Sequence, residues 1–196
     1  MSANERVSLT ASTLKGIAHP LRVRLLGLLR SDGPSTATRL AQRVGQSSGV
    51  TSYHLRQLAL HGFVEEDPER GSGRERWWRA AHRVTELRAE SARQAPGDAE
   101  AYLRAIATTY ADRVSAWLDG MAGLPREWDE GATLSDWSLR LTAAESAGFI
   151  RELEALVDRY RADRPDAAAP AGAERVIAQI QVLPFVAGTA GDEVSS

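Results

Sequence analysis

Cysteine is absent from the 196 residues, which excludes disulfides and thiolate metal sites. Long apolar runs are absent too. Nothing approaches the roughly 20 apolar residues of a membrane span, and the opening MSANERVSLT holds no signal-type apolar stretch. The expectation is a cytoplasmic protein with no membrane partner. Lysine is nearly absent: Lys15 is the only one, so arginine carries the positive charge. The four histidines, His19, His54, His61 and His82, show no i, i+4 pairing. There is no nucleophile motif, no phosphate-binding glycine loop and no metal-ligand cluster. Glu152 and Glu154 sit at alternate helical positions, which do not converge on one site. No enzyme activity, no metal and no cofactor are therefore expected.

What is present is a normal core, with 43% hydrophobic residues, and an uneven charge. Residues 1–83 carry 13 Lys+Arg against 7 Asp+Glu, and residues 84–196 carry 11 against 19, so +6 faces −8. A basic front half attracts polyanions and an acidic back half is repelled by them. The division expected from this is a domain over 1–83 and a second over 84–196.

The most informative stretch is Ser35 to Phe63. Ala37, Leu40, Ala41 and Val44 recur at helical spacing behind Ser35, a candidate N-cap. Gly45 suits a left-handed helix end. Ser47 can cap a second helix, with Val50, Leu55, Leu58 and Ala59 inward, Tyr53 at the edge and Gly62 as the stop. Ser47, Ser48, Thr51, Ser52, Tyr53, His54, Arg56 and Gln57 form its polar side. Short hydroxyls, an imidazole and a guanidinium suit base edges and phosphates. They would equally suit a plain solvated helix. Upstream, a helix from Thr10 through Leu14, Ile17 and Ala18 should break at His19-Pro20, with His19 as a polar cap and Pro20 opening a helix striped by Leu21, Leu25, Leu28 and Leu29.

After Gly62, Phe63–Glu66 and Arg74–Arg79 read as two strands around a Gly-rich tip with Arg70, Arg74 and Arg76. These arginines are candidates for phosphate or minor-groove contact. Glu65, Glu66, Asp67 and Glu69 bring opposing charge to the same place. Trp77 and Trp78 read as packing residues rather than base-stacking ones.

Residues 14–80 resemble the ArsR-type winged-helix transcriptional regulators. The matching pieces are Ala18-His19-Pro20-Leu21-Arg22, Leu40-Ala41, Thr51-Ser52-Tyr53-His54-Leu55 with Leu58, His61-Gly62-Phe63-Val64 and Gly73-Arg74-Glu75, in that order. The resemblance implies a homodimer on double-stranded DNA, at a roughly palindromic operator, with Ser48, Thr51, Ser52 and His54 on the groove side. Metal-sensing members carry cysteine-based or His/Asp/Glu sites, and this chain departs from them. The resulting function is a sequence-specific transcription regulator, a repressor. The alternative is a winged helix kept as a protein-interaction module without DNA contact.

In the back half, Arg83–Gln94 reads as helical, and Asp98 is a candidate N-cap for a long helix to about Met121, striped by Tyr102, Ile106, Tyr110, Val114 and Trp117. Leu134–Leu141 alternates, with Trp137, Leu139 and Leu141 on one side and Ser138 and Arg140 on the other, as a strand does. Thr142 to Glu145 forms a capping-box pattern before a helix holding Phe149, Leu153, Leu156, Val157 and Tyr160 inward. Val176 to Leu183 alternates again. Two strands are marginal alone; pairing within the chain or across a dimer are both open. Tyr102, Tyr110, Trp117, Trp128, Trp137 and Tyr160 have two readings: an aromatic pocket for a small apolar effector, or the filling of a small core. The expected fold class is α+β, mostly α: an N-terminal winged helix-turn-helix followed by a helical C-terminal domain with two short strands.

Overall fold

The computed structural model describes residues 6–70, 75–160 and 168–185. Two compact units divide the chain, Met1–Leu124 and Pro125–Ser196. The boundary of charge near residue 83 and the boundary of compactness therefore do not coincide.

The first unit opens with a strand absent from the sequence reading, β1 (Arg6–Leu9). It pairs in parallel with β5 (Val84–Leu87), Arg6 beside Val84 and Leu9 beside Leu87. The start of the expected helix at Arg83 is thus a strand, and helix α5 begins only at Ala89 and runs to Gln94. Val84 and Thr85 are β-branched and favour the pleated partner that β1 provides. Thr10 then caps α1 (Ala11–Ile17) in a reciprocal arrangement with Thr13. His19 caps α2 (Pro20–Ser31), its Nδ1 accepting from the Leu21 N–H at 3.1 Å.

The helix-turn-helix follows. Thr36, not Ser35, caps α3 (Ala37–Val44). The reason lies in the sheet: Ser35 and Thr36 form the two-residue β2, hydrogen-bonded to β4 (Trp77–Ala80), which fixes where the helix can begin. Gly45 leaves α3 with φ of 67°, the left-handed turn expected of it. Ser47 accepts from the Val50 N–H and caps α4 (Ser48–Leu60). β3 (Val64–Glu66) pairs antiparallel with β4, completing a sheet of order β2-β4-β3.

Helix α6 (Pro96–Gly120) closes the unit. It starts two residues before the expected cap Asp98, with proline in its first turn and no side-chain cap. Its Ala99, Tyr102 and Ala105 are buried, Ala99 and Tyr102 in the cluster that includes Leu14, Leu25, Leu40, Leu55, Phe63 and Trp78. Burial of Leu55, Leu58 and Leu25 stabilises by about 1.5–3 kcal/mol each. Arg30 threads this core from α2. Its guanidinium donates to the His82 carbonyl at 2.8 Å and to Thr85 Oγ1 at 2.7 Å, and burial pushes its pKa down to about 10. Burial likewise pushes the neighbouring Tyr102 phenol up to about 12.

The second unit holds α7 (Ala143–Val157), opened by the expected capping box. Thr142 N–H and Oγ1 donate to Glu145 Oε2 at 2.8 and 2.7 Å, which holds that carboxyl below the usual carboxylate range. The two expected strands are not formed: 134–141 and 176–183 carry neither helix nor ladder. A period-2 pattern specifies a face, whereas a strand also needs a partner for its backbone groups. The helix-rich class with few strands holds, but every strand among the described residues lies in the first unit. No helix among them is long and apolar enough to cross a membrane.

Candidate nucleic-acid interface

Helix α4 turns Thr51, Leu55 and Leu58 into the core, residues separated by four and three positions along one face. The opposite side is left to solvent: Ser47, Ser48, Gly49, Tyr53, Arg56 and Leu60 are exposed, and Ser52 and Gln57 are half-buried on its flanks. This corrects two expectations. Thr51, read as a groove-side hydroxyl, is fully buried, and its Oγ1 finds no hydrogen-bond partner among the described residues. Val50, read as inward, is exposed. The cause is phase: with Leu55 and Leu58 anchoring the inner face, position 51 lies one turn before Leu55 and must point in, while 50 rotates out.

His54 is half-buried and packed between rings. Its centroid lies 4.5 Å from that of His19 and 5.2 Å from that of Tyr53, the latter edge-on. His54 Nδ1 is buried without a hydrogen-bond partner among the described residues. Burial, then His19 and Arg22, lowers its pKa; burial, then Arg22, lowers that of His19. His54 is thus a half-buried ring packed against His19 and Tyr53. His19 was legible as a cap, and its stacking on His54 was not, because the two lie 35 positions apart.

The wing arginines are tied to acids. Arg76 meets Glu66 at 2.9 Å, Arg79 meets Glu65 at 3.0 Å, and Arg70 lies 3.6 Å from Asp67. The Arg76 and Arg79 pairs are exposed on both sides and hold little energy, so phosphate can compete for those guanidiniums; Asp67, by contrast, is buried. Arg74 lies outside the described residues. Two cations not singled out in the sequence, Arg39 and Arg43 of α3, are also exposed; Arg39 stacks over Trp77 at 4.8 Å and Arg43 pairs with Asp32.

The aromatic set is divided between the two units, three residues in each. Tyr102 is buried in the first unit's core, with Tyr110 and Trp117 half-buried further along α6. In the second unit Trp128 is half-buried, and Trp137 and Tyr160 are exposed. A different cavity, of about 450 Å³, opens between α2, α4 and α6, lined by His19, Arg24, Val50, His54, Thr108 and Asp112 among others. Its lining is mixed in polarity, and it reaches the underside of the exposed helix.

The sequence profile of a helix-turn-helix domain matches residues 17–67. No curated protein matches the chain. Among solved structures, the chain is similar to RV1404 from Mycobacterium tuberculosis, at 17% identity over 71% of each chain with a TM-score of 0.30. It is also similar to a double mutant of ZitR from Lactococcus lactis in its apo form, at 14% identity over 77% of this chain and 86% of that one, again with a TM-score of 0.30. Likeness this loose carries nothing about function. The matched segment spans α2, α3, α4 and β3, so this chain carries a helix-turn-helix domain, and that domain supports a DNA-binding transcription regulator.

Proposed function

We propose that the protein is a sequence-specific, homodimeric transcription regulator of ArsR type that acts as a repressor at a roughly palindromic operator. The observation that carries this is the open face of α4, where Ser47, Ser48, Ser52, Tyr53, Arg56 and Gln57 lie unburied or flanking within a matched helix-turn-helix domain. In such a motif the second helix enters the major groove, its N-terminal residues at base edges. Ser47 and Ser48 stand at that end of α4, and Arg56 has the fork geometry that reads guanine bidentately. Arg39 and Arg43 of α3 and Arg70 and Arg76 of the wing supply exposed cations for phosphate.

An effector would act in the cavity beneath α4. A ligand filling the space between α2, α4 and α6 bears on Val50 and His54, and would favour one setting of α4 over another by binding the two unequally. The test of the whole reading is a gel shift with DNA from upstream of the protein's own gene. A sequence-dependent complex that weakens as salt rises is expected. Absence of any such complex at micromolar protein counts against regulation through DNA.

One observation favours a second reading, a protein-interaction module. Val50, Tyr53 and Leu60 are exposed on α4, and the described wing arginines are engaged by acids. Arg56→Glu separates the readings. It should abolish the DNA complex while leaving the fold intact; undiminished DNA affinity would move the assignment away from α4.

A further inference from the structure

The second unit has a problem that the first has solved. Trp137 is 78% exposed, Leu134 68% and Leu139 57%, along a stretch that carries no ladder. Among the described residues of 125–185 none is buried. An alternating segment with a bare apolar side, in no ladder among the described residues, is a template for another strand.

The chemistry of the stretch says which strand. Set Leu134–Leu141 antiparallel against an identical stretch, with the two-fold axis at Ser138. Asp136 then lies directly opposite Arg140 of the second copy, and Arg140 opposite its Asp136. On the other face Trp137 lies opposite Leu139, and Leu139 opposite Trp137. Opposite charges and aromatic–aliphatic neighbours are both favourable cross-strand pairs, and like charges directly opposite are not. Asp136 faces Arg140 in this register alone. Moving the axis to 137 sets Arg140 against Leu134, and moving it to 139 sets Asp136 against Thr142. The segment is therefore complementary to itself in charge and in apolar contact at one register.

We infer that a second copy of this chain docks on the second unit by antiparallel pairing of 135–141 about Ser138. The contact is isologous, the same patch used from both sides. A two-stranded ribbon is marginal by itself, and the unit carries further apolar surface to cover it: Ile150 and Leu156 on α7, and Val176 and Ile180 beyond it, are exposed. This inference rests on the pairing of two chains proposed above but not on DNA contact.

The absence of cysteine makes the test clean. In the full chain, Ser138→Cys puts one thiol at the axis, where opposed Cα atoms are about 4.5–5.5 Å apart, inside the window of about 4.4–6.8 Å that a disulfide requires. Mild oxidation should convert most of it to a covalent dimer on a non-reducing gel. Ser135→Cys places its twin about 20 Å away at roughly 3.4 Å per residue and should not cross-link. Equal or absent cross-linking of the two variants overturns the inference. Light scattering across a dilution series gives the second measurement. Arg140→Asp sets two acids opposite each other and should weaken the dimer at least tenfold, and adding Asp136→Arg should restore it. A dimer indifferent to both changes overturns the inference while leaving the regulator reading standing, since two chains could meet elsewhere. A cross-linked dimer that shifts no DNA supports the inference and removes the regulator reading.

Discussion

Residues 6–124 and residues 125–185 contain similar apolar patterns and treat them differently. In the first unit, periodic leucines on α2, α3 and α4 meet one another, and every buried apolar residue among the described ones lies between Leu9 and Ala105. In the second, α7 has a satisfied N-terminus and an apolar side, yet Ile150, Leu156 and Val157 are exposed. Local signals such as caps and turns are read by a few neighbouring residues and work in either setting. Burial needs a second surface. Among the described residues the first unit has six α-helices and two small sheets in sequence range to supply one, whereas the second has a single α-helix and two unladdered stretches.

Core truncation should expose this contrast most strongly. Leu55→Ala removes a fully buried side chain from the centre of the first unit and should cost about 2–5 kcal/mol in urea unfolding. Leu156→Ala in the second unit, measured under monomeric conditions, should stay within about 0.5 kcal/mol. Equal losses would mean that both units hold a core.

Arg30→Met is next. It removes the charge that bonds the His82 carbonyl and Thr85, leaving those acceptors in a buried region; a loss of about 1.5–3 kcal/mol is expected. Gly16→Ala should be of similar size, about 1–3 kcal/mol. A methyl group there would lie 2.6 Å from His61 Cβ and 2.2 Å from Cγ, too near the backbone of the α4 terminus to be cleared by rotating a side-chain end. Thermal melts of both variants check these values, and a stable Gly16→Ala protein would show that α1 and α4 can slide apart.

The smallest effect is pH-dependent. His19 and His54 have lowered pKa values, so the unfolded chain takes up their protons first as pH falls. Stability is complete above the unfolded value of about 6.5 and declines below it. His54→Asn should flatten the melting temperature between pH 7.5 and 5.5 relative to the unchanged chain. An identical slope would remove His54 from the titration.

The helix-turn-helix was legible because its signals are short-range. Gly45 after Val44, Ser47 before Ser48 and Pro20 after His19 each decide the geometry of the residues beside them, and each does so in the structure. The capping box at Thr142 and Glu145 belongs to the same class. Misreadings arose where a distant partner decided. Ser35 lost the cap to Thr36 because β4 claimed both residues for its sheet. Arg83–Gln94 broke into a strand and a helix because β1, nearly 80 residues earlier, lies beside Val84. Thr51 looked polar and available until Leu55 and Leu58 set the phase of α4.

By itself the amino-acid order determined the left-handed turn at Gly45, the caps at His19 and Ser47 and the break at Pro20 in the helix-turn-helix domain, which end of the chain is basic, and that thiol chemistry is excluded. These depend on φ preferences, on hydrogen bonds spanning three or four residues, and on composition, all of which are local or additive. Only the tertiary structure decided that Thr51 is buried, that His54 packs against His19 beside a cavity, that Arg70 and Arg76 are paired with acids and that the six aromatic residues fall three in each unit. Those outcomes depend on which surfaces meet across long stretches of chain, and a side chain's exposure is a property of that meeting rather than of its own chemistry.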